Sequence, residues 1–295
     1  MDMLEINDLT RHFGEFTAVD HVTFSVPDGM MTGFVGGNGA GKTTTMRMVM
    51  GVLGIDDGSV TWRGEPISYA ARRTFGYMPE ERGLYPKQGI LDQLVYLGRL
   101  KGMSGDAARR SVMDHLERFG LADRAKDKVE KLSLGNQQRV QIIASLINQP
   151  ACLILDEPFS GLDPSAVDSM VTLLREHTSA GVPVLFSSHQ LDLVDRICDR
   201  LVVLAKGHVV ASGTSDELRS AGPRRVRLVM DSDLGWVRDR PGIHVIDVDG
   251  TAALFEPDDL SAEQALLTEA MRRGAVLELT PIRATLGDIY REVTS

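Results

Sequence analysis

The chain is short of several things, and each shortage excludes a class of protein. Only two cysteines, Cys152 and Cys198, occur in 295 residues. They form no C-x-x-C pair, so neither a zinc site nor a disulfide framework organises the fold. Both lie in apolar segments and read as small buried hydrophobes. Positive charge is also scarce: 32 Lys and Arg against 41 Asp and Glu leave a net charge of -9. Nucleic-acid backbones need a basic surface, so nucleic acid is not expected as the main partner. No apolar run approaches the ~20 residues that cross a bilayer. The opening Met1-Asp2-Met3-Leu4-Glu5 is acidic and has no signal-peptide pattern. A cytoplasmic polypeptide is expected, one that reaches a membrane only through a partner. Internal repeats and low-complexity tracts are absent from the sequence too.

What is present starts with Gly36-Gly37-Asn38-Gly39-Ala40-Gly41-Lys42-Thr43. It fits G-x-x-x-x-G-K-[ST], and each residue type meets a physical demand. The glycines let the backbone turn sharply and aim N–H groups at a polyphosphate. Lys42 brings a point charge to the outer phosphates, and the Thr43 hydroxyl suits Mg²⁺. Met31–Val35 reads as a buried strand before the loop. Thr44–Met50 reads as a helix behind it, with its positive N-terminus toward the anion. Gly36 to Thr44 is therefore the expected nucleotide-binding segment, and no second such loop follows.

The rest of the chain alternates between α/β and helical patterning. Val22–Val26 alternates as a strand, Pro27-Asp28-Gly29 turns, Gly58–Gly64 reads as a further short strand, and Phe75-Gly76-Tyr77-Met78-Pro79 leads into a polar loop. From Ile90 to Pro150 apolar residues recur at helical spacing (Leu91, Leu94, Val95, Leu97, Leu100; then Val112, Leu116, Phe119), predicting an inserted helical subdomain. Strands resume near Cys152–Leu155, Val184–Ser187 and Leu201–Ala205. A boundary is expected near Ser220-Ala221-Gly222-Pro223. Beyond it, Val226, Leu228 and Met230 alternate, Ser261-Ala262-Glu263-Gln264 reads as a capping box, Gly274 ends that helix, and Val276–Leu279 is a strand. A last short helix is expected over Thr285–Val293.

A second chemical signal is Leu153-Ile154-Leu155-Asp156-Glu157-Pro158. An apolar strand delivers two carboxylates at its C-terminal end, where parallel α/β sheets bind ligands. Asp156 suits a Mg²⁺-linked role, and Glu157 is placed to polarise a water that attacks the terminal phosphate.

With these two motifs the chain resembles the nucleotide-binding subunits of ABC transporters over about residues 3–220. Leu132-Ser133-Leu134-Gly135-Asn136 resembles the family's Leu-Ser-Gly-Gly-Gln signature, with Leu134 for the first glycine and Asn136 for the glutamine. Ser160-Gly161-Leu162-Asp163 resembles the D-loop, and His189 the switch histidine. Phe13 sits where the family places an aromatic under adenine; Phe16 is a rival for that role, and a core position is the alternative for Phe13. Glu80 stands where the family usually has a glutamine that meets Mg²⁺. Together with Pro79–Pro86 and Leu134-Gly135-Asn136, it resembles the branch that pairs with ABC-2 type export permeases, sodium-efflux-like systems among them. Gly37 stands where the family often has proline.

The resemblance implies a P-loop NTPase (RecA-like) α/β core with N-terminal antiparallel β elements, an inserted helical subdomain at about 90–150 and a small C-terminal α+β domain. Its ATPase domain would span 1–220 and the accessory domain 221–295. It implies ATP and Mg²⁺ as cofactors, with Thr43, Glu80 and Asp156 toward the metal and Glu157, His189 and Lys42 in hydrolysis. It implies two subunits, identical or different, packed head to tail. Ser133, Leu134, Gly135 and Asn136 of each would meet the γ-phosphate held by the other, with Asp163 nearby. Ser133 also suits a plain helix cap, and both readings can hold together. Integral-membrane permease subunits would carry the cargo and hold the ATPase at the inner face of the membrane. A soluble ABC ATPase acting on ribosome or DNA is the alternative. For residues 221–295, dimerisation, regulation and permease contact are all compatible with the sequence.

Overall fold

Alternating apolar residues build the first layer. In the computed structural model, which describes residues 2–81, 83–221, 224–282, 287, 288 and 290, β1 (Asp2–Phe13) and β2 (Phe16–Pro27) form an antiparallel hairpin. Leu4, Ile6 and Leu9 of β1 and Val19, Val22, Phe24 and Val26 of β2 are buried on its inner face. The chain continues through β3 (Met31–Val35), α1 (Lys42–Val49), β4 (Asp57–Trp62), β5 (Glu65–Pro66), α2 (Tyr69–Arg73) and β6 (Gly76–Met78). β4 and β5 widen the hairpin into a four-stranded sheet ordered β2-β1-β4-β5.

Three helices follow: α3 (Ile90–Leu100), α4 (Gly105–Arg118) and α5 (Leu134–Leu146). Leu91, Leu94, Val112, Leu116 and Phe119 are buried, so the helical spacing marked a core face; Leu97 is half-buried and Leu100 exposed. Ser104 and Ser133 cap α4 and α5, each accepting a backbone N–H three residues on. Then come β7 (Leu153–Leu155), α6 (Pro164–Ser179), β8 (Val184–Ser188), α7 (Leu191–Ile197), β9 (Arg200–Ala205) and β10 (His208–Thr214). They complete a six-stranded sheet ordered β10-β9-β3-β8-β7-β6. All of its pairs are parallel except β10 with β9. Every residue of β3, β7 and β8 is buried, as strands covered on both faces require. Phe24 of the hairpin packs on Phe34 of β3 with ring centroids 5.0 Å apart, joining the two sheets through one apolar cluster.

The described chain divides into two compact units, the first ending at Ser215 and the second starting at Asp216. This division lies ahead of Ser220–Pro223, and Gly222 and Pro223 fall outside the described residues. After α8 (Ser215–Ala221), the second unit has β11 (Arg225–Met230), β12 (Ile243–Asp249), β13 (Ala252–Pro257), α9 (Leu260–Arg273) and β14 (Val276–Ile282), with its antiparallel sheet ordered β12-β13-β11-β14. Val226, Leu228, Met230 and Phe255 of the sheet share a core with Leu266 and Ala270 of α9. The capping box expected at Ser261 is not the cap. Asp259 caps α9, accepting the Ala262 N–H at 2.8 Å, and Ser261 lies inside the first turn. A carboxylate held in extended backbone is the stronger acceptor for that N–H. The helix expected over Thr285–Val293 lies largely outside the described residues.

Candidate active site

Two glycines of the loop between β3 and α1, Gly36 and Gly41, leave no room for a side chain. A Cβ on Gly36 would lie 2.5 Å from the Leu204 carbonyl oxygen. One on Gly41 would lie 2.6 Å from that of Ala18, and Gly41 also has φ 106°. α1 starts at Lys42, two residues ahead of the expected Thr44, because Gly41 serves as its N-cap. Lys42 is buried. Its Nζ donates to the carbonyls of Gly36 at 2.7 Å and Gly37 at 3.2 Å, so the ammonium lies within the curve of the loop.

The two carboxylates arrive at the end of β7. Asp156 is buried, with Oδ1 accepting from the Ser187 hydroxyl at 2.6 Å. The Glu157 N–H donates to the same Ser187 oxygen at 2.7 Å, so one serine at the end of β8 fixes both acidic residues. Asp156 Oδ2 is buried without a hydrogen-bond partner among the described residues. Glu157 has φ 51°, in the left-handed region of the backbone map. Its Oε2 lies 3.0 Å from His189 Nδ1. A carboxylate can only accept, which places the His189 proton on Nδ1. The Thr43 hydroxyl donates to Glu80 Oε2 at 3.3 Å.

Two glutamines of α5, Gln138 and Gln141, have roles that the sequence pattern does not assign, although Gln138 lies just past the signature-like segment. Gln138 Nε2 donates to the carbonyls of Glu157 at 3.0 Å and Pro158 at 3.1 Å. Gln141 Nε2 donates to those of Pro79 at 2.6 Å and Glu81 at 3.4 Å, either side of Glu80. The i, i+3 spacing of two polar residues on a helix with an otherwise buried face was the available signal. One face of α5 therefore ties the helical subdomain to both acidic segments.

These groups surround two adjoining cavities. One, of about 400 Å³, is lined by Phe13, Phe16, Ala18, residues 38–44, Glu80, Asp156 and Glu157. The other, of about 590 Å³, is lined by Asn38, Glu80, Leu134, Gln138, Glu157, Ser160, Gly161 and His189. Phe13 and Phe16 are 49% and 63% exposed, so neither is a core aromatic. Leu134 is 61% exposed. Ser133, Gly135, Asn136 and Asp163 do not line either cavity. Ser133 Oγ accepts the Asn136 N–H at 3.4 Å, and Asp163 caps α6 through the Ala166 N–H at 2.9 Å. Neither cysteine lines these cavities, and burial pushes both thiols well above their ordinary range.

The proteins that this chain is similar to share one family. Residues 19–160 match the ABC transporter family, and residues 213–294 match the C-terminal domain of ATP-binding proteins like DrrA1-3. The chain is 41% identical to the uncharacterized ABC transporter ATP-binding protein YhaQ of Bacillus subtilis, over 98% of each chain. It is 35% identical to the Nod factor export ATP-binding protein I of Burkholderia lata, over 73% of this chain and 72% of the other. Among solved structures, an ATP-binding subunit of an ABC transporter superposes with a TM-score of 0.69 at 32% identity, covering 74% of this chain and 92% of its own. The chain belongs to the ATP-binding proteins of ABC transporters. It is an ATP-binding ATPase subunit built on the P-loop NTPase fold, of a family whose cassettes dimerise and work with transmembrane permeases. Among the described residues no helix is long and apolar enough to cross a membrane.

Proposed function

We propose that the chain powers an export system by hydrolysing ATP between two head-to-tail subunits, identical or different. The observation that carries this reading is Glu157, fixed by Ser187 and Gln138 and bonded to His189 where the two cavities meet. In this reading the smaller cavity takes ATP, with the base against Phe13 and Phe16 and the phosphates along Gly36 to Thr44. Lys42 exchanges its carbonyl partners for phosphate oxygens. The N–H groups at the start of α1 add their dipole. Glu157 takes up the proton of the attacking water, and His189 holds that carboxylate in line.

The larger cavity is then the half-site completed by a partner subunit's signature segment, Ser133 to Asn136, with Asp163 alongside. Each chain offers its own segment in return, so one copy alone has no complete site. The residues fit a hard divalent cation: the oxygen of Thr43, the carboxylate of Glu80 and the buried unpartnered Oδ2 of Asp156 converge on the loop, with no nitrogen or sulfur donor among them. These three would hold Mg²⁺, which would supply charge neutralisation at the β- and γ-phosphates.

Residues 1–220 would form the ATPase domain and 221–295 an accessory domain. The permease would dock near the Glu80 loop, holding the chain at the inner face of the membrane. Leu91 and Leu94 are buried and unavailable for docking; Tyr85, Tyr96 and Leu100 are exposed. The export assignment is supported by the Nod factor relative. The deciding experiment is E157Q: hydrolysis is lost while ATP-dependent dimerisation, read by light scattering, is retained. Unchanged turnover would remove Glu157 from the role of base.

A further inference from the structure

Behind the base end of the smaller cavity lies a group of side chains that supports the lining without belonging to it. Phe13 and Phe16 pair directly across the two-residue turn Gly14-Glu15, so both rings project from one face of the hairpin tip. An exposed phenylalanine at a hairpin tip has several rotamers open to it. Phe13 is restrained. The Arg11 guanidinium carbon stands over its ring, 5.2 Å from the centroid. Arg11 does not line the cavity and Phe13 does, so the cation covers the ring from outside.

Arg11 is itself clamped. Its Nη1 donates to Asp56 Oδ1 at 2.5 Å, and Asp56 Oδ2 accepts the His12 N–H at 2.7 Å. The Asp56 N–H donates to the Thr10 carbonyl at 3.1 Å. The carboxylate therefore grips β1 on both sides of Arg11. The His12 N–H and the Arg11 cation hold its carboxyl below the usual range, so the clamp stays charged near neutral pH.

We propose that Asp56 and Arg11 are positioning residues for the nucleobase: they hold the Phe13 ring in the orientation on which the base stacks. The inference rests on the reading that Phe13 meets the base. Its physical content is pre-organisation. A cation on one π-face and a carboxylate behind the cation remove the rotamer freedom that the ring would otherwise lose on binding. The chain's base recognition is then set partly by two residues that do not touch the nucleotide.

The test measures, on the full chain, dissociation constants for ATP and for inorganic tripolyphosphate, which has phosphates and no base. R11A should weaken ATP about 3- to 10-fold, the scale of one exposed cation–π contact and one side chain to be immobilised. Tripolyphosphate binding should be unchanged, KM should rise and kcat should stay level. R11K, which keeps the cation, should recover part of the loss, and D56N should give a smaller one. In an F13A background, R11A should add nothing. If R11A leaves ATP binding alone while F13A weakens it, the stacking reading stands and the brace is wrong. If R11A weakens tripolyphosphate as much as ATP, Arg11 acts on the phosphate loop or the fold, and the brace is again wrong. If F13A leaves ATP binding unchanged, the stacking reading falls and takes the brace with it.

Discussion

The two ends of the smaller cavity are made of opposite materials. The end proposed for the phosphates is backbone and buried charge: Gly36 and Gly41 with no room for a Cβ, Lys42 inside the loop, and Asp156 sealed under Ser187. The end proposed for the base is exposed side chain at a hairpin tip: Phe13, Phe16 and the Arg11 brace. A buried backbone site has few ways to change by small amounts, because each atom is in contact on several sides. An exposed aromatic shelf can be trimmed one contact at a time. Substitutions should therefore produce steep losses at the first end and graded ones at the second.

That contrast can be tested from its steepest point downward. E157Q should lower turnover by about 10²- to 10⁴-fold, the usual range for a positioned general base, measured by phosphate release at saturating ATP. G36A should follow, with ATP binding lost and about 1–3 kcal/mol of stability removed by overpacking, read by calorimetry and chemical denaturation. G39A is its control. Gly39 has φ 76° but open space around its Cβ position, so only backbone strain of about 1 kcal/mol is expected. Equal losses in the two would mean that crowding against Leu204 does not shape the loop.

S187A should cost about 1–3 kcal/mol of stability, because it leaves Asp156 Oδ1 and the Glu157 N–H without the hydroxyl they share. Turnover should fall with it while ATP affinity changes less; a variant as stable and active as the parent would show that the shared serine is dispensable. F16A should have the smallest effect, at most about 1 kcal/mol in ATP affinity, since Phe13 keeps its brace. If F16A cost more than G36A, the contrast between the ends would be inverted.

The phosphate end was legible in the sequence because its parts are contiguous. Residues 36–43 and the pair Asp156-Glu157 carry their chemistry within a few positions. The groups that fix those parts are distant along the chain, and no local pattern records them. Gln141 reaches Pro79 across 62 positions, Ser187 reaches Asp156 across 31, and Asp56 reaches Arg11 across 45. The base end failed to resolve for another reason. The sequence offers Phe13 and Phe16 as rival aromatics three positions apart, but exposure depends on where the hairpin tip stands against the loop. At α9 the error was local: Ser261 and Asp259 are both good caps, and backbone geometry chose between them. The broad fold was readable because buried parallel strands are uninterrupted apolar runs and the inserted helices keep their spacing.

Glu157 carries one further implication through its φ of 51°. A side chain with a Cβ is strained there by about 1 kcal/mol or more, whereas asparagine tolerates that backbone. Replacing Glu157 with Asn should raise the melting temperature slightly while it abolishes turnover. Stability and activity therefore select different residues at this position. A library of variants sorted only by resistance to heat would enrich silent subunits here, and the working sequence is the one that accepts a weaker fold to keep its carboxylate.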